Sequence, residues 1–274
     1  METIRVQDHE VFVYARPEGD RRPVVCVHST GMSHLQWRRL ARRLSKAGHP
    51  VYVPDLLGYG QTGLWRGPGA FTTAYDMEIV ERVAESVGGP VHLVGHSYGG
   101  RLVMGVAAQR PDLVHTLAAY EPTCFGVLRS LEDGPALREL EEFDPDGRFL
   151  DDASGGSPEW VERFVNYWNG SDGWSQMGEA QQRAFISTGR KMFEEVRETS
   201  TETVPHTTYA HLDCPALFLS GTESTVAGRA CSRLLAQTLS AGKHLEIDAG
   251  HMGPLVAADE VNELLLAHID THDG

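Results

Sequence analysis

Short apolar runs alternate with helix-like stretches along most of the chain, and this alternation limits the folds that the chain can adopt. The runs are rich in β-branched residues, are apolar almost throughout, and each ends in a turn. Such runs are typical of parallel strands that helices cover on both faces. The sequence therefore predicts an α/β fold with a mostly parallel central sheet. The predicted strands are residues 24–28, 51–55, 91–95, 116–121, 216–220 and 244–248, with an extra edge strand at 10–14.

Residues 123–212 interrupt the alternation, because they are polar, have helical spacing and contain no run that is typical of a strand. Within them, Ser157 followed by Pro158 is typical of a helix start. We therefore expect a core made of residues 1–122 and 213–274, with a helical lid inserted between its two parts.

Three aromatic residues of this segment are candidates for contact with a substrate. Trp160, Phe164 and Trp168 follow one another with helical spacing, so one face of a helix carries them. Small-molecule pockets are mostly apolar and are often lined by aromatic side chains. The same stripe would also serve as the packing core of the lid, and the sequence leaves both roles open.

Residues 91–100 carry the strongest chemical signal in the chain. They read VHLVGHSYGG, which is a predicted strand followed by the pattern G-x-S-x-G and the start of a helix. Gly95 and Gly99 permit a sharp turn that projects the Ser97 hydroxyl above the edge of the sheet. The N-terminus of the helix offers backbone N–H groups where an oxyanion would form. Ser97 is therefore the candidate nucleophile, and a purely structural turn is the alternative interpretation.

A serine hydroxyl needs a base before it can act as a nucleophile. The last predicted strand leads into the segment AGHMGP, which places His251 in a glycine-flanked loop late in the chain. This position gives the order serine, acid, histidine that accompanies the G-x-S-x-G pattern. His251 is the candidate general base, and the alternative is an ordinary loop histidine among the 13 histidines of the chain.

These features together resemble the α/β-hydrolase superfamily, specifically its small enzymes with a helical lid. The resemblance covers residues 10–122 and 213–270. It implies the α/β-hydrolase fold and an oxyanion hole formed by the backbone N–H groups of Thr30 and Tyr98. In the loop that carries the first of these donors, family members usually read His-Gly-x. This chain reads HST at residues 28–30, so Ser29 replaces the glycine and Thr30 takes the donor position.

The acid of the expected triad departs from the pattern that the resemblance implies. The family places an aspartate three residues after the glycine that follows the penultimate strand, and this chain has Ser224 there. Glu121 lies at the carboxyl end of the strand expected beside the nucleophile strand, a position from which some hydrolases draw their acid. Glu223 lies in the usual turn, one residue early. Because the imidazole needs one carboxylate partner, we expect Glu121 to be the acid, with Glu223 or neither as the alternatives.

The balance of charge excludes one class of partner. The chain has 38 acidic and 24 basic residues, and its formal net charge of −14 repels a nucleic-acid backbone. It contains no apolar run of the length that spans a membrane and shows no export signal at its start, so we expect a cytoplasmic protein with no membrane partner. The sequence carries no signal for the oligomeric state.

The motifs indicate neither a cofactor nor a metal. Gly58, Gly60 and Gly63 spell G-x-G-x-x-G, but residues 64–69 cannot open the helix that a dinucleotide fingerprint requires. The four cysteines are scattered, and no cysteine or histidine residues have the spacing of zinc ligands.

The expected function is therefore a cofactor-independent serine hydrolase that cleaves an ester, lactone or thioester of a mostly apolar small molecule through an acyl-enzyme. Two other functions stay open. One is a non-hydrolytic enzyme of specialised metabolism on the same fold, such as a cyclase, isomerase or C–C lyase. The other is a ligand-binding protein without turnover.

Overall fold

A sheet of eight strands forms the centre of the protein in the computed structural model, which describes residues 2–65 and 70–273. Its strands are β1 (Glu2–Val6), β2 (His9–Arg16), β3 (Val24–Val27), β4 (Val51–Pro54), β5 (Val91–His96), β6 (Val114–Tyr120), β7 (Ala216–Gly221) and β8 (Gly242–Ile247). They are ordered β1-β2-β4-β3-β5-β6-β7-β8 across the sheet. Strands β3 to β8 pair in parallel, so the predicted α/β fold with a mostly parallel sheet is confirmed.

The first two strands differ from the single edge strand expected at residues 10–14. Strand β2 lies second from the edge, antiparallel to β4, and β1 pairs outside it as an antiparallel hairpin. The strand predicted at residues 10–14 is therefore present, but its expected position at the edge is wrong. The outermost strand was missed because β1 is mostly exposed and lacks the apolar run that identified the other strands.

Helices connect the strands on both faces of the sheet. They are α1 (Arg38–Lys46), α2 (Thr73–Ser86), α3 (Tyr98–Gln109), α4 (Phe125–Ser130), α5 (Gly134–Phe143), α6 (Pro158–Asn169), α7 (Gly173–Gln176), α8 (Glu179–Thr201), α9 (Val226–Thr238), α10 (Gly253–Val256) and α11 (Ala258–His272). Among the described residues, no helix combines the length and the apolar character that crossing a membrane requires.

The core consists of two apolar clusters, one on each face of the sheet. Helices α1 and α11 pack in one cluster, and α2, α3 and α9 pack in the other. Successive residues of β3 alternate between them, because side chains along a strand point to opposite faces. Val24 and Cys26 belong to the first cluster, and Val25 and Val27 belong to the second. Both faces are therefore covered, which explains why the central strands are apolar throughout.

Helices α4 to α8 lie between β6 and β7 and are called the inserted region below. Helix α6 begins as expected, because Ser157 Oγ accepts a hydrogen bond from Trp160 N (3.2 Å) and Pro158 is its first residue. Buried side chains of the inserted region, including Trp160 and Phe193, belong to the same apolar cluster as α2 and α3. The inserted region therefore packs directly on one face of the core.

The glycine pattern at residues 58–63 forms a turn. Gly58 N donates to Gly63 O (2.9 Å), and the turn continues through Leu64 and Trp65 without helical structure. Residues 66–69, the rest of the segment that we expected not to be helical, lie outside the described residues. The described part of the turn therefore lacks the helix start that a dinucleotide site needs.

Candidate active site

Ser97 lies at the tight turn between β5 and α3. Its φ of +54° and ψ of −116° are rare for a residue that carries a side chain. Close contacts require the flanking glycines, because a Cβ on Gly95 would lie 2.5 Å from Gly99 O and one on Gly99 would lie 2.4 Å from Val27 O. Ser97 N donates to Tyr120 O (2.9 Å), which ties the turn to β6. The turn therefore fixes the hydroxyl at the carboxyl edge of the sheet.

Ser97, His251 and Glu121 form a series of two hydrogen bonds with His251 in the middle. Nδ1 of His251 donates to Oε2 of Glu121 (2.5 Å), and Nε2 accepts from Oγ of Ser97 (3.0 Å). An ionised carboxylate can only accept, so it selects the imidazole tautomer in which Nε2 presents a lone pair to the hydroxyl. All three side chains are buried. The arrangement has the parts of an activated nucleophile, namely a hydroxyl, a base and an acid that orients the base.

Glu121 follows β6 directly and has a φ of +44°. Its fully buried carboxylate also accepts from Gly221 N (2.8 Å) and from Ser224 Oγ (2.6 Å). Ser224 occupies the position at which the resemblance implies an aspartate. Glu223, the alternative acid, is exposed. The structure therefore brings Glu121 to His251 and leaves Glu223 at the surface.

Two cavities open beside Ser97. The first has a volume of about 280 Å³ and mostly apolar walls, and the second has a volume of about 330 Å³ and includes His251 in its wall. Phe164 and Trp168 line both cavities. Trp160 lies outside these walls and is buried in the inserted region. Of the three aromatic residues singled out from the sequence, two therefore lie at the site.

Thr30 and Tyr98, the residues expected to be oxyanion donors, both line the first cavity together with Ser97. Tyr98 is the first residue of α3, where backbone N–H groups have no acceptor within the helix. Thr30 follows β3 and lines both cavities together with Ser97. Within residues 2–65 and 70–273, neither backbone N–H group donates to another protein group. Both groups are therefore available to an oxygen of a molecule bound at Ser97.

A buried relay of hydrogen bonds connects the loop of Thr30 with the loop of His251. Gln36 Oε1 accepts from the backbone N–H of Ser29 (3.1 Å), and Gln36 Nε2 donates to Nδ1 of His96 (3.0 Å). Nε2 of His96 then donates to the backbone carbonyl of His251 (2.9 Å). Burial, with a smaller effect of His251, holds the pKa of His96 well below its usual value. His96 is therefore neutral and can accept at one nitrogen while it donates from the other.

A buried cluster of charges contacts the side chain of Tyr98. Lys191 of α8 pairs with Glu195 and with Asp76, whose Oδ2 lies 2.8 Å from the ammonium nitrogen, and the three side chains are at most 3% exposed. Tyr98 donates its hydroxyl to Asp76 (2.9 Å), and Tyr59 donates to Glu195 (2.9 Å). Burial raises the pKa of Glu195 to about 7, against the opposing effect of Lys191. This cluster fastens the inserted region to the core.

A group of side chains at the opposite edge of the sheet has the composition of a metal site. His49, His92 and Asp273 offer ligand atoms that lie within 4.8 Å of one another. Asp273 Oδ2 already accepts from Arg21 Nε (2.9 Å), and Arg22 Nε lies 3.6 Å from its other oxygen. Because these guanidinium groups balance the carboxylate, we assign the group to ion pairing.

Sequence reasoning missed Gln36, His96, Lys191 and Glu195. The last two are four residues apart on α8, the spacing of an ordinary ion pair on a helix surface, so the pattern did not indicate burial. His96 directly precedes Ser97 inside a buried strand. That position is the signal that could have identified it, because a polar side chain in such a strand needs a partner.

Comparisons with known proteins show the family of the chain. A model of the family described as "Alpha/beta hydrolase family" matches residues 24–264. Lipase LipV of Mycobacterium tuberculosis is 34% identical over 125 residues, which are 45% of this chain and 43% of the lipase, so the match spans less than half of that relative. The (E)-2-((N-methylformamido)methylene)succinate hydrolase of Acinetobacter baylyi is 24% identical over 270 residues, 93% of this chain and 92% of that protein.

The solved structures show the same fold. The crystal structure of the enol-lactonase from Burkholderia xenovorans matches with a TM-score of 0.75 and covers 98% of this chain and 100% of that chain. The two sequences are 19% identical. At this identity the similarity concerns the fold, and it leaves the chemistry to be argued from the site.

Proposed function

The chain belongs to the alpha/beta hydrolase family, and from this membership and the site at Ser97 we propose that it is a cofactor-independent serine hydrolase. Its proposed substrate is an ester, lactone or thioester of a mostly apolar small molecule. The observation that carries the proposal is the series of hydrogen bonds from Ser97 through His251 to Glu121, 3.0 and 2.5 Å long. The names of two proteins that are similar in sequence, a lipase and a hydrolase of a succinate derivative, support a hydrolytic reaction.

In this mechanism the reaction begins with attack of the Ser97 hydroxyl on the carbonyl carbon. His251 takes the hydroxyl proton at Nε2 as the bond from Oγ to carbon forms, and Glu121 stabilises the resulting imidazolium. The carbonyl oxygen becomes an oxyanion that accepts from the backbone N–H groups of Thr30 and Tyr98. Each such donor is typically worth about 3 kcal/mol of transition-state stabilisation. The tetrahedral intermediate then expels the leaving group, which receives the proton from His251.

Water completes the reaction in a second half that repeats the first. His251 takes a proton from water, and the hydroxide that forms attacks the carbonyl carbon of the acyl-enzyme. The same oxyanion donors hold the second tetrahedral intermediate. Its collapse releases the carboxylic acid and returns the proton to Ser97, so the site needs no cofactor.

The two cavities fit the two parts of such a substrate. His251 protonates the leaving group, and it lines the second cavity but not the first. We therefore assign the leaving group to the second cavity and the acyl group to the first, whose mostly apolar walls favour an apolar acyl group. The inserted region contributes walls to both cavities, and in this proposal residues 123–212 are the lid.

A fluorophosphonate probe followed by intact-mass spectrometry tests the nucleophile. The probe forms a covalent bond with an activated serine and loses fluoride, so the wild-type protein should gain one adduct. Ser97→Ala should gain none, whereas Ser187→Ala, at an exposed serine of α8, should be labelled like the wild type. A folded wild-type protein that gains no adduct contradicts an activated nucleophile.

Turnover of a panel of esters, lactones and thioesters in heavy-oxygen water tests the hydrolytic step. Hydrolysis places one solvent oxygen in the product acid, because water attacks the acyl carbon. Turnover without solvent oxygen in the product would instead indicate a non-hydrolytic enzyme such as a cyclase or isomerase. Tight ligand binding without any chemical change would indicate a binding protein.

A further inference from the structure

The indole ring of Trp168 stacks on the imidazole ring of His251. The two ring centroids lie 3.8 Å apart and the ring planes are inclined by 23°. Trp168 belongs to α6 of the inserted region, whereas His251 follows β8 of the core. The two residues are 9% and 3% exposed, respectively, so solvent has little access to the contact. The inserted region therefore touches the proposed base directly.

The hydrogen bonds of the imidazole act on its edge. Glu121 and Ser97 bond its two nitrogens, and these bonds lie close to the plane of the ring. The ring of His96 is 5.0 Å away and is inclined by 46°, so it does not stack. A parallel indole at van der Waals distance opposes tilting of the imidazole, which would turn Nε2 away from Ser97. Trp168 therefore supplies the restraint on the ring face that the hydrogen bonds lack.

The same contact acts on the charge that develops during the reaction. His251 becomes an imidazolium when it takes the proton of Ser97, and the face of an indole attracts a cation more strongly than other aromatic side chains do. In the described part of the chain, the titratable groups in contact with the ring are Glu121 and the neutral His96. The cation is thus balanced by Glu121 at its edge and by Trp168 at its face.

We propose that Trp168 is a positioning residue for His251, and that the site is competent only while the inserted region holds this indole against the imidazole. The inference rests on the proposed serine hydrolase function. A competing role exists, because Trp168 also lines both cavities. The two roles predict different kinetics: a wall residue acts on KM, whereas a positioning residue acts on kcat.

Variants of Trp168 assayed with methyl acetate separate the two roles, because neither its acetyl group nor its methoxy leaving group needs much of the wall of either cavity. Trp168→Leu should lower kcat about tenfold with little change in KM, since it loses both the flat surface and the attraction to a cation. Trp168→Phe keeps a flat ring and should lose less. The matched control is Trp174→Phe, at a half-buried tryptophan of α7 in the inserted region, and it should match the wild type.

Fluorescence tests in solution the contact between Trp168 and His251 on which the positioning role depends. A protonated imidazole quenches the emission of an indole on which it stacks. Acidification should therefore quench the wild-type protein more than Trp168→Phe, and the extra quenching should be absent from His251→Ala. This comparison uses folded proteins without substrate, so it can overturn the proposal even if Trp168→Leu fails to fold, because Trp168 cannot position the base without this contact.

Two outcomes separate the failure of this inference from the failure of the proposed function. If Trp168→Leu changes KM alone, or if wild type and Trp168→Phe are quenched equally, Trp168 is only a cavity wall. The serine hydrolase proposal then stands, provided that the fluorophosphonate probe labels Ser97. If the folded wild-type protein is not labelled, the proposed function itself fails.

Discussion

The hydroxyl of Ser224 donates a hydrogen bond of 2.6 Å to the carboxylate of Glu121. Ser224 stands in the turn after β7, where the family resemblance places an aspartate, and Glu121 stands at the end of the neighbouring strand β6. The oxygen of Glu121 that accepts from Ser224 also accepts from His251. The two positions are therefore neighbours in space, and Ser224 holds the carboxylate of Glu121 by a hydrogen bond.

Glu121→Gln should lower kcat for ester hydrolysis by about 10³- to 10⁴-fold. The amide removes the negative charge beside His251, and its NH₂ group can select the wrong imidazole tautomer. Steady-state kinetics with a p-nitrophenyl ester measure the effect. Glu223→Gln is the matched control, because Glu223 is exposed, and it should retain the wild-type kcat. An equal loss in the two variants would show that Glu121 is not the acid.

Moving the carboxylate back to its usual place should restore part of the activity. We expect Ser224→Asp in the Glu121→Gln background to recover at least about tenfold in kcat, because one carboxylate near Nδ1 suffices to orient the base. Ser224→Asn in the same background is the matched control, since it has the size of aspartate without its charge. Equal activity of the aspartate and asparagine variants would contradict the idea that the two positions are interchangeable.

The sequence was sufficient for every strand of the sheet except β1, and it indicated Ser97 and His251 as candidates. Strands covered by helices on both faces are apolar throughout, so β3 and its neighbours could be recognised without tertiary information. Strand β1 could not, because its exposed residues carry no such pattern. Ser97 and His251 follow from a local motif and from chain order, whereas Glu121 remained one of two candidates because its contact with His251 joins residues far apart in sequence.

The roles of the residues around Ser97, His251 and Glu121 could not be predicted, because these roles depend on packing. Lys191 and Glu195 have the spacing of a surface ion pair, and only the contact of α8 with the core shows that they are buried. Trp168 was recognised as a candidate pocket residue. Its stacking on His251 depends on how α6 sits on the core, and no local pattern encodes that contact.

Gln36→Met should lower both stability and kcat. The substitution leaves the buried N–H of Ser29 and Nδ1 of His96 without a partner, and each unsatisfied group costs about 1–3 kcal/mol. It also loosens the loops of Thr30 and His251, so we expect kcat to fall about tenfold. Denaturant unfolding and steady-state kinetics measure the two effects. Gln109→Met, at an exposed glutamine of α3, is the control; if both variants behave alike, the relay does not position these loops.

Lys191→Met should destabilise the protein by about 3–5 kcal/mol, because it leaves Asp76 and Glu195 buried without their cation. Arg183→Met is the matched control on the same helix. Arg183 forms an exposed pair with Glu179, and pairs of this kind contribute about 0.3–0.5 kcal/mol. The free energy of unfolding in denaturant measures both changes. A loss of less than about 1 kcal/mol in Lys191→Met would contradict a buried, charged cluster.

The pH dependence of stability should reveal the excess carboxylate in this cluster. Burial raises the pKa of Glu195 from 4.5 to about 7. Asp76 adds to this effect, because the single ammonium group of Lys191 balances only one of the two carboxylates. Between these values the folded protein holds a proton that the unfolded chain releases. The stabilisation from this proton is therefore complete below pH 4.5 and is lost as the pH rises through 7. We expect it to amount to roughly 1–3 kcal/mol.

Glu195→Gln isolates this effect, because glutamine does not titrate while the other groups of the protein stay the same. The free energy of unfolding of the wild type, measured relative to Glu195→Gln, should fall as the pH rises from 4.5 to 7. The opposite slope would mean that folding lowers the pKa of Glu195, as in an ordinary salt bridge. A flat difference would mean that folding leaves the pKa of Glu195 unchanged.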